Sequence, residues 1–115
     1  MAKVDTYLKR CTKKILEEIE EIKKEGKVAD EGINIVKYNA DNGNWRYEYY
    51  RLVSREPIFK GKNGRMVTTQ HLGDEFSLKT RQAIASIKRR KKLKILQEMF
   101  AYIKGKIDEL EAIDQ

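Results

Sequence analysis

The chain has 115 residues, 40% hydrophobic and 37% charged, with 25 Lys+Arg against 18 Asp+Glu, one Cys, one His and one Pro, which is the size of one domain with a modest core and a large charged surface. One Cys excludes an intrachain disulfide, and a single His leaves no Cys/His set at zinc-ligand spacing, so a disulfide scaffold and a structural zinc module are excluded and a reducing, cytoplasmic compartment is expected. No apolar run approaches the ~20 residues of a membrane span, and residues 1–25 lack the apolar stretch and cleavage site of a signal peptide, so no membrane association is expected.

Val4, Leu8, Cys11, Ile15, Ile19 and Ile22 recur every three or four residues and predict a helix over 4–25 with one apolar stripe. Asp5 sits at the positive end of its dipole and Lys23 and Lys24 at the negative end, before Gly26 stops it.

Residues 33–73 change character. β-Branched and aromatic residues dominate, and Asn42-Gly43 and Asn63-Gly64 suit the positive φ angles of hairpin turns. Strands are predicted at 33–40, 44–53 and 65–71, with 58–60 feeding the second turn and Pro57 marking an interruption or an edge. Alternation along the second strand puts Trp45, Tyr47 and Tyr49 on one side and Arg46, Glu48 and Tyr50 on the other. The aromatic side is expected to serve as the core of the small sheet.

A second helix is predicted over 77–113, entered at Gly73-Asp74 or with Ser77 as N-cap. Leu93, Leu96, Phe100, Ile103, Ile107, Leu110 and Ile113 draw a seam suited to a coiled-coil-like partner. Gly105, which costs about 1 kcal/mol relative to Ala inside a helix, implies either a close crossing or a local break.

These elements give an α+β domain spanning 1–115, in which two long antiparallel helices flank a small central antiparallel β-meander of about three strands. Charge supports the antiparallel arrangement: residues 15–26 hold five Glu against two Lys, whereas 79–94 hold eight Lys/Arg and no acid. At the opposite ends, 1–14 carry five bases and one acid, and 95–115 two bases and five acids. The longer helix outruns the shorter, so Leu93, Leu96, Phe100, Ile103, Ile107 and Leu110 are expected to need a partner, most simply a second copy in a homodimer.

The densest functional signal is the run of Lys88, Arg89, Arg90, Lys91, Lys92 and Lys94, six bases in seven residues. Successive helical residues point about 100° apart, so the run covers most of the circumference and part of it is expected to meet phosphate, the main source of nucleic-acid affinity. The alternative is a solvated face neutralised by Glu17, Glu18, Glu20 and Glu21. The strands add Arg46, Arg51, Arg55, Lys60, Lys62 and Arg65 among aromatics. Of these, the glycine-flexed tip bearing Lys60, Lys62 and Arg65 gives the closest access to phosphate.

The run Trp45-Arg46-Tyr47-Glu48-Tyr49-Tyr50-Arg51, the Lys60-Gly61-Lys62 turn and Gln70-His71-Leu72-Gly73 before a helix resemble the small β-modules of recombinase arm-type and other mobile-element-associated DNA-binding proteins. The resemblance implies DNA binding through the sheet by Arg46, Arg51, Lys62 and Arg65. His71 stands where an aromatic is usual in those modules.

Catalysis finds no Ser/His/Asp constellation, phosphate-binding glycine loop or His pair in the sequence, so no enzyme activity and no cofactor or metal are expected. His71 reads as a hairpin-end residue and Cys11 as a small core hydrophobe. The sequence therefore points to a small DNA-binding protein, with RNA open. The rival is a protein-interaction adaptor that docks through the helix seam and the sheet.

Overall fold

The computed structural model describes residues 2–43 and 45–115; the side chains of residues 2, 3, 41, 42, 45 and 46 lie outside the description. The chain is α+β: helix α1 (Ala2–Glu25), strands β1 (Asn34–Asn42), β2 (Trp45–Val53), β3 (Phe59–Lys60), β4 (Met66–Val67) and β5 (Thr69–Gly73), and helix α2 (Leu78–Ile113). It divides into two units, one formed by Met1–Lys27 with Lys91–Gln115 and the other by Val28–Arg90.

The first unit is a helix pair. The stripe of α1 buries Ile15, Ile19 and Ile22, and α2 contributes buried Leu93 and Ile107, with Leu96, Phe100, Ile103 and Leu110 half-buried. Lys9 near the start of α1 reaches Glu111 in the last turn of α2 at 3.3 Å. The remaining turns of α1 can then run only alongside the residues that precede Glu111, so the pairing is antiparallel. Within the single chain Leu93 and Ile107 are buried, Leu96, Phe100, Ile103 and Leu110 keep partial exposure and Ile113 is 77% exposed, so the chain closes part of the seam by itself. Gly105 sits in uninterrupted helix, and a Cβ there would meet nothing within 4 Å. Neither a close crossing nor a break explains it.

The second unit is built on an antiparallel sheet in the order β1-β2-β5, beside a two-stranded ribbon of β3 and β4. The predicted strand 65–71 is in fact two strands. Met66 and Val67 pair with Lys60 and Phe59, whereas Thr69–His71 pair with Val53–Arg51. The changeover falls at Thr68, whose carbonyl accepts from the Ser54 amide at 2.9 Å. Asn42 pairs with Trp45, so the first reversal begins at Gly43, φ 65°, one residue later than Asn42-Gly43 suggests. At the second, Asn63 (φ 61°) and Gly64 (φ 75°) adopt the left-handed conformation their types favour, and the Gly61 amide donates to Arg65 O at 2.7 Å to close the tip.

Ser77 is the N-cap of α2: its Oγ accepts from the Thr80 amide at 3.1 Å and its carbonyl from the Arg81 amide at 3.1 Å. Thr80 is fully buried beneath this cap, its hydroxyl 2.8 Å from Ser77 Oγ. Gly73 enters the corner at φ 110°, where a Cβ would stand 3.2 Å from Ser77 Oγ. Leu72, Ala83, Ile87 and Ala29 are the buried apolar residues of this unit. Among the described side chains no tyrosine is fully buried: Tyr47 is exposed and Tyr49 half-buried, while Trp45, the third aromatic expected in the core, lies outside the described side chains.

Candidate nucleic-acid interface

Alternation and register place Tyr38 of β1, Tyr47, Tyr49 and Arg51 of β2 and His71 of β5 on one face of the sheet, because Tyr38 lies opposite Tyr49 and Arg51 opposite His71. The rings form a continuous row. Tyr47 and Tyr49 centroids are 6.1 Å apart, Tyr49 and Tyr38 5.9 Å, and Tyr38 and His71 5.8 Å edge to face. Tyr38 leans across β2, so its hydroxyl comes within 3.0 Å of His71 Nδ1, and the Arg51 guanidinium carbon lies over its ring, 5.1 Å from the centroid, a cation–π geometry. Arg51 Nε is enclosed there with no acceptor among the described residues.

Tyr47 is 42% exposed, Tyr38, Tyr49 and Arg51 are half-buried and His71 is exposed. No strand residue of this parity is a carboxylate. The carboxylate of β2, Glu48, falls on the opposite side, where it meets Lys37 at 2.9 Å; that hydrogen bond raises the Lys37 ammonium above the usual 10.5.

Lys60, Lys62 and Arg65 are exposed around the tip between β3 and β4, and the stretch 57–73 contains those three bases and no acid. The backbone of Arg46 pairs with Asp41, and its side chain lies outside the described residues. The helical run divides. Arg90 is structural, donating from one guanidinium nitrogen to Asp30 O and Ile33 O, both at 2.6 Å. Arg89 is half-buried and engaged. Lys88 stays exposed in the sheet-bearing unit, and Lys91, Lys92 and Lys94 are exposed in the helix pair.

Residues 28–90 hold 12 of the 25 bases and 7 of the 18 acids, and so +5 of the net charge of +7. Sequence reasoning did not single out Tyr38 as part of the site, although its place two residues after Val36 and two before Ala40 gives it the parity of Tyr49 once the strands are in register. Among the described residues no cluster of three or more His, Cys, Asp or Glu is arranged to hold a metal, and no helix is long and apolar enough to cross a membrane. No family model, curated protein or solved structure matches the chain.

Proposed function

We propose that this protein binds nucleic acid, DNA in the first instance, through its sheet-bearing unit, with Lys60, Lys62 and Arg65 meeting phosphate. The observation that carries the reading is the concentration of +5 in residues 28–90 together with an acid-free basic tip on a glycine-bounded hairpin. Cations presented this way release condensed counterions on binding, a contribution independent of base sequence. Fluorescence anisotropy of labelled random-sequence duplex, single-stranded DNA and RNA at three salt concentrations tests it. Affinity should fall linearly in a log–log plot, and joint replacement of Lys60, Lys62 and Arg65 by Gln should make that slope shallower by about 0.7–0.9 for each phosphate the protein no longer neutralises. No binding to any polymer at low salt overturns the reading.

One observation favours the second reading, a protein-docking or dimerising role. Ile95, Met99 and Tyr102 are spaced four and three residues apart on α2 and are 58%, 46% and 68% exposed, a stripe on one helix face. On that reading light scattering should give a dimer mass that Met99→Glu converts to a monomer. A monomer at every concentration removes self-association.

A further inference from the structure

Resting on the nucleic-acid reading, we propose that Tyr38, Tyr47, Tyr49 and Arg51 form a stacking platform for unpaired bases, so that the ligand of this protein is single-stranded nucleic acid and not a closed duplex. Three tyrosine rings in one row, spaced 5.9 Å and 6.1 Å, line a sheet face to which the strands contribute no carboxylate. None of the three rings is among the fully buried residues of the unit, which are Leu72, Ala83, Ile87, Ala29 and Thr80; Tyr47 is 42% exposed and Tyr38 and Tyr49 are half-buried. Their faces are suited to what a base offers, a flat π-surface, and base–aromatic stacking tolerates any base.

Charge complementarity selects the occupant. The face carries the Arg51 guanidinium over Tyr38, and the unit that bears it holds +5 of the net charge of +7. An acidic peptide would satisfy the charge without using the rings. In a duplex, stacking already covers the base faces, and only edges are offered in the grooves. Unstacked bases on a phosphate backbone use both features of the site. Deoxyribo- and ribo-oligomers share this chemistry.

The test is titration of the full chain into labelled 12-nucleotide oligodeoxyuridylate, oligouridylate of the same length and a 12-base-pair duplex, with Tyr47→Leu, Tyr49→Leu and Tyr47→Phe variants. The single strands should bind at least about ten-fold more tightly than the duplex. Each Leu variant should weaken single-strand binding by about ten-fold with its salt slope unchanged, while Tyr47→Phe retains it. Which oligomer binds better assigns the sugar. Tyr47 is solvent-facing, so Tyr47→Leu should keep the wild-type circular dichroism and melting temperature. Duplex binding as tight as single-strand binding, or Leu variants that bind like the wild type, overturns the platform and leaves the phosphate-binding reading standing. Failure of all three polymers to bind overturns both.

Discussion

Arg90 fastens the loop before β1 to α2 by donating to two backbone carbonyls 57 and 60 residues away in the chain. Removing the guanidinium leaves two acceptors without their charged donor, so Arg90→Met should lower the unfolding free energy in urea by about 1–3 kcal/mol. Arg90→Lys should recover only part of it, since the two hydrogens that one guanidinium nitrogen holds in a fixed plane give way to a freely rotating ammonium on a shorter stem. Ser77→Ala, which removes the cap of α2, should cost about 1 kcal/mol in the same measurement. Lys9 is a weaker, titrating tie. Hydrogen bonds to Asp5 and then Glu111 raise its ammonium above the usual 10.5. Its contribution is therefore complete below that value and disappears as pH rises through the higher folded value. A melting temperature followed into alkali should lose this increment only above 10.5, and Lys9→Met should remove it. The density of bases at 88–94 was legible in the sequence. The division of labour within it was not, because the carbonyls that claim Arg90 lie far away in the chain and carry no side-chain pattern.

At the level of elements, both helices could be read from their stripes, since a three-to-four spacing of apolar residues is a local property. What closes over a stripe is not local. The seam from Leu93 to Leu110 looks the same whether a second molecule or α1 covers it, and the Lys9–Glu111 pair is what identifies the antiparallel arrangement within the chain. The ribbon of β3 and β4 was misread for a related reason: residues 65–71 hold three β-branched residues and no Gly or Pro to mark a break, and the switch of partners at Thr68 comes from pairing with Phe59 and Val53, on different stretches. Gly105 offers a direct check of the helix. With open space where its Cβ would be, Gly105→Ala should raise the unfolding free energy by about 1 kcal/mol. Loss of stability instead would mean that the residue is held for some other use.

Across the whole molecule, charge and apolar surface are apportioned unequally. The sheet-bearing unit carries +5 and the tyrosine row, whereas the helix pair, at +2, carries the exposed stripe of Ile95, Met99 and Tyr102. The two readings of function therefore make separable demands on one chain. Hydrogen exchange can localise them, because cooperative regions open with their own free energies. Added oligodeoxyuridylate should slow exchange in β1, β2 and β5 and leave α1 unchanged. Protection that rises equally in α1 would contradict a ligand seated on the sheet.

The alternation of β2 has a consequence for how its gene can change. Tyr47, Tyr49 and Arg51 share a face only because each is separated from the next by one residue. One added codon between Tyr47 and Tyr49 would send the two rings to opposite sides, or force a bulge, whereas two added codons would restore their parity. Descendants of this chain that keep the row should therefore differ in that stretch by even numbers of residues, and an odd difference should be found only beside a bulge or in lineages where the row has been given up.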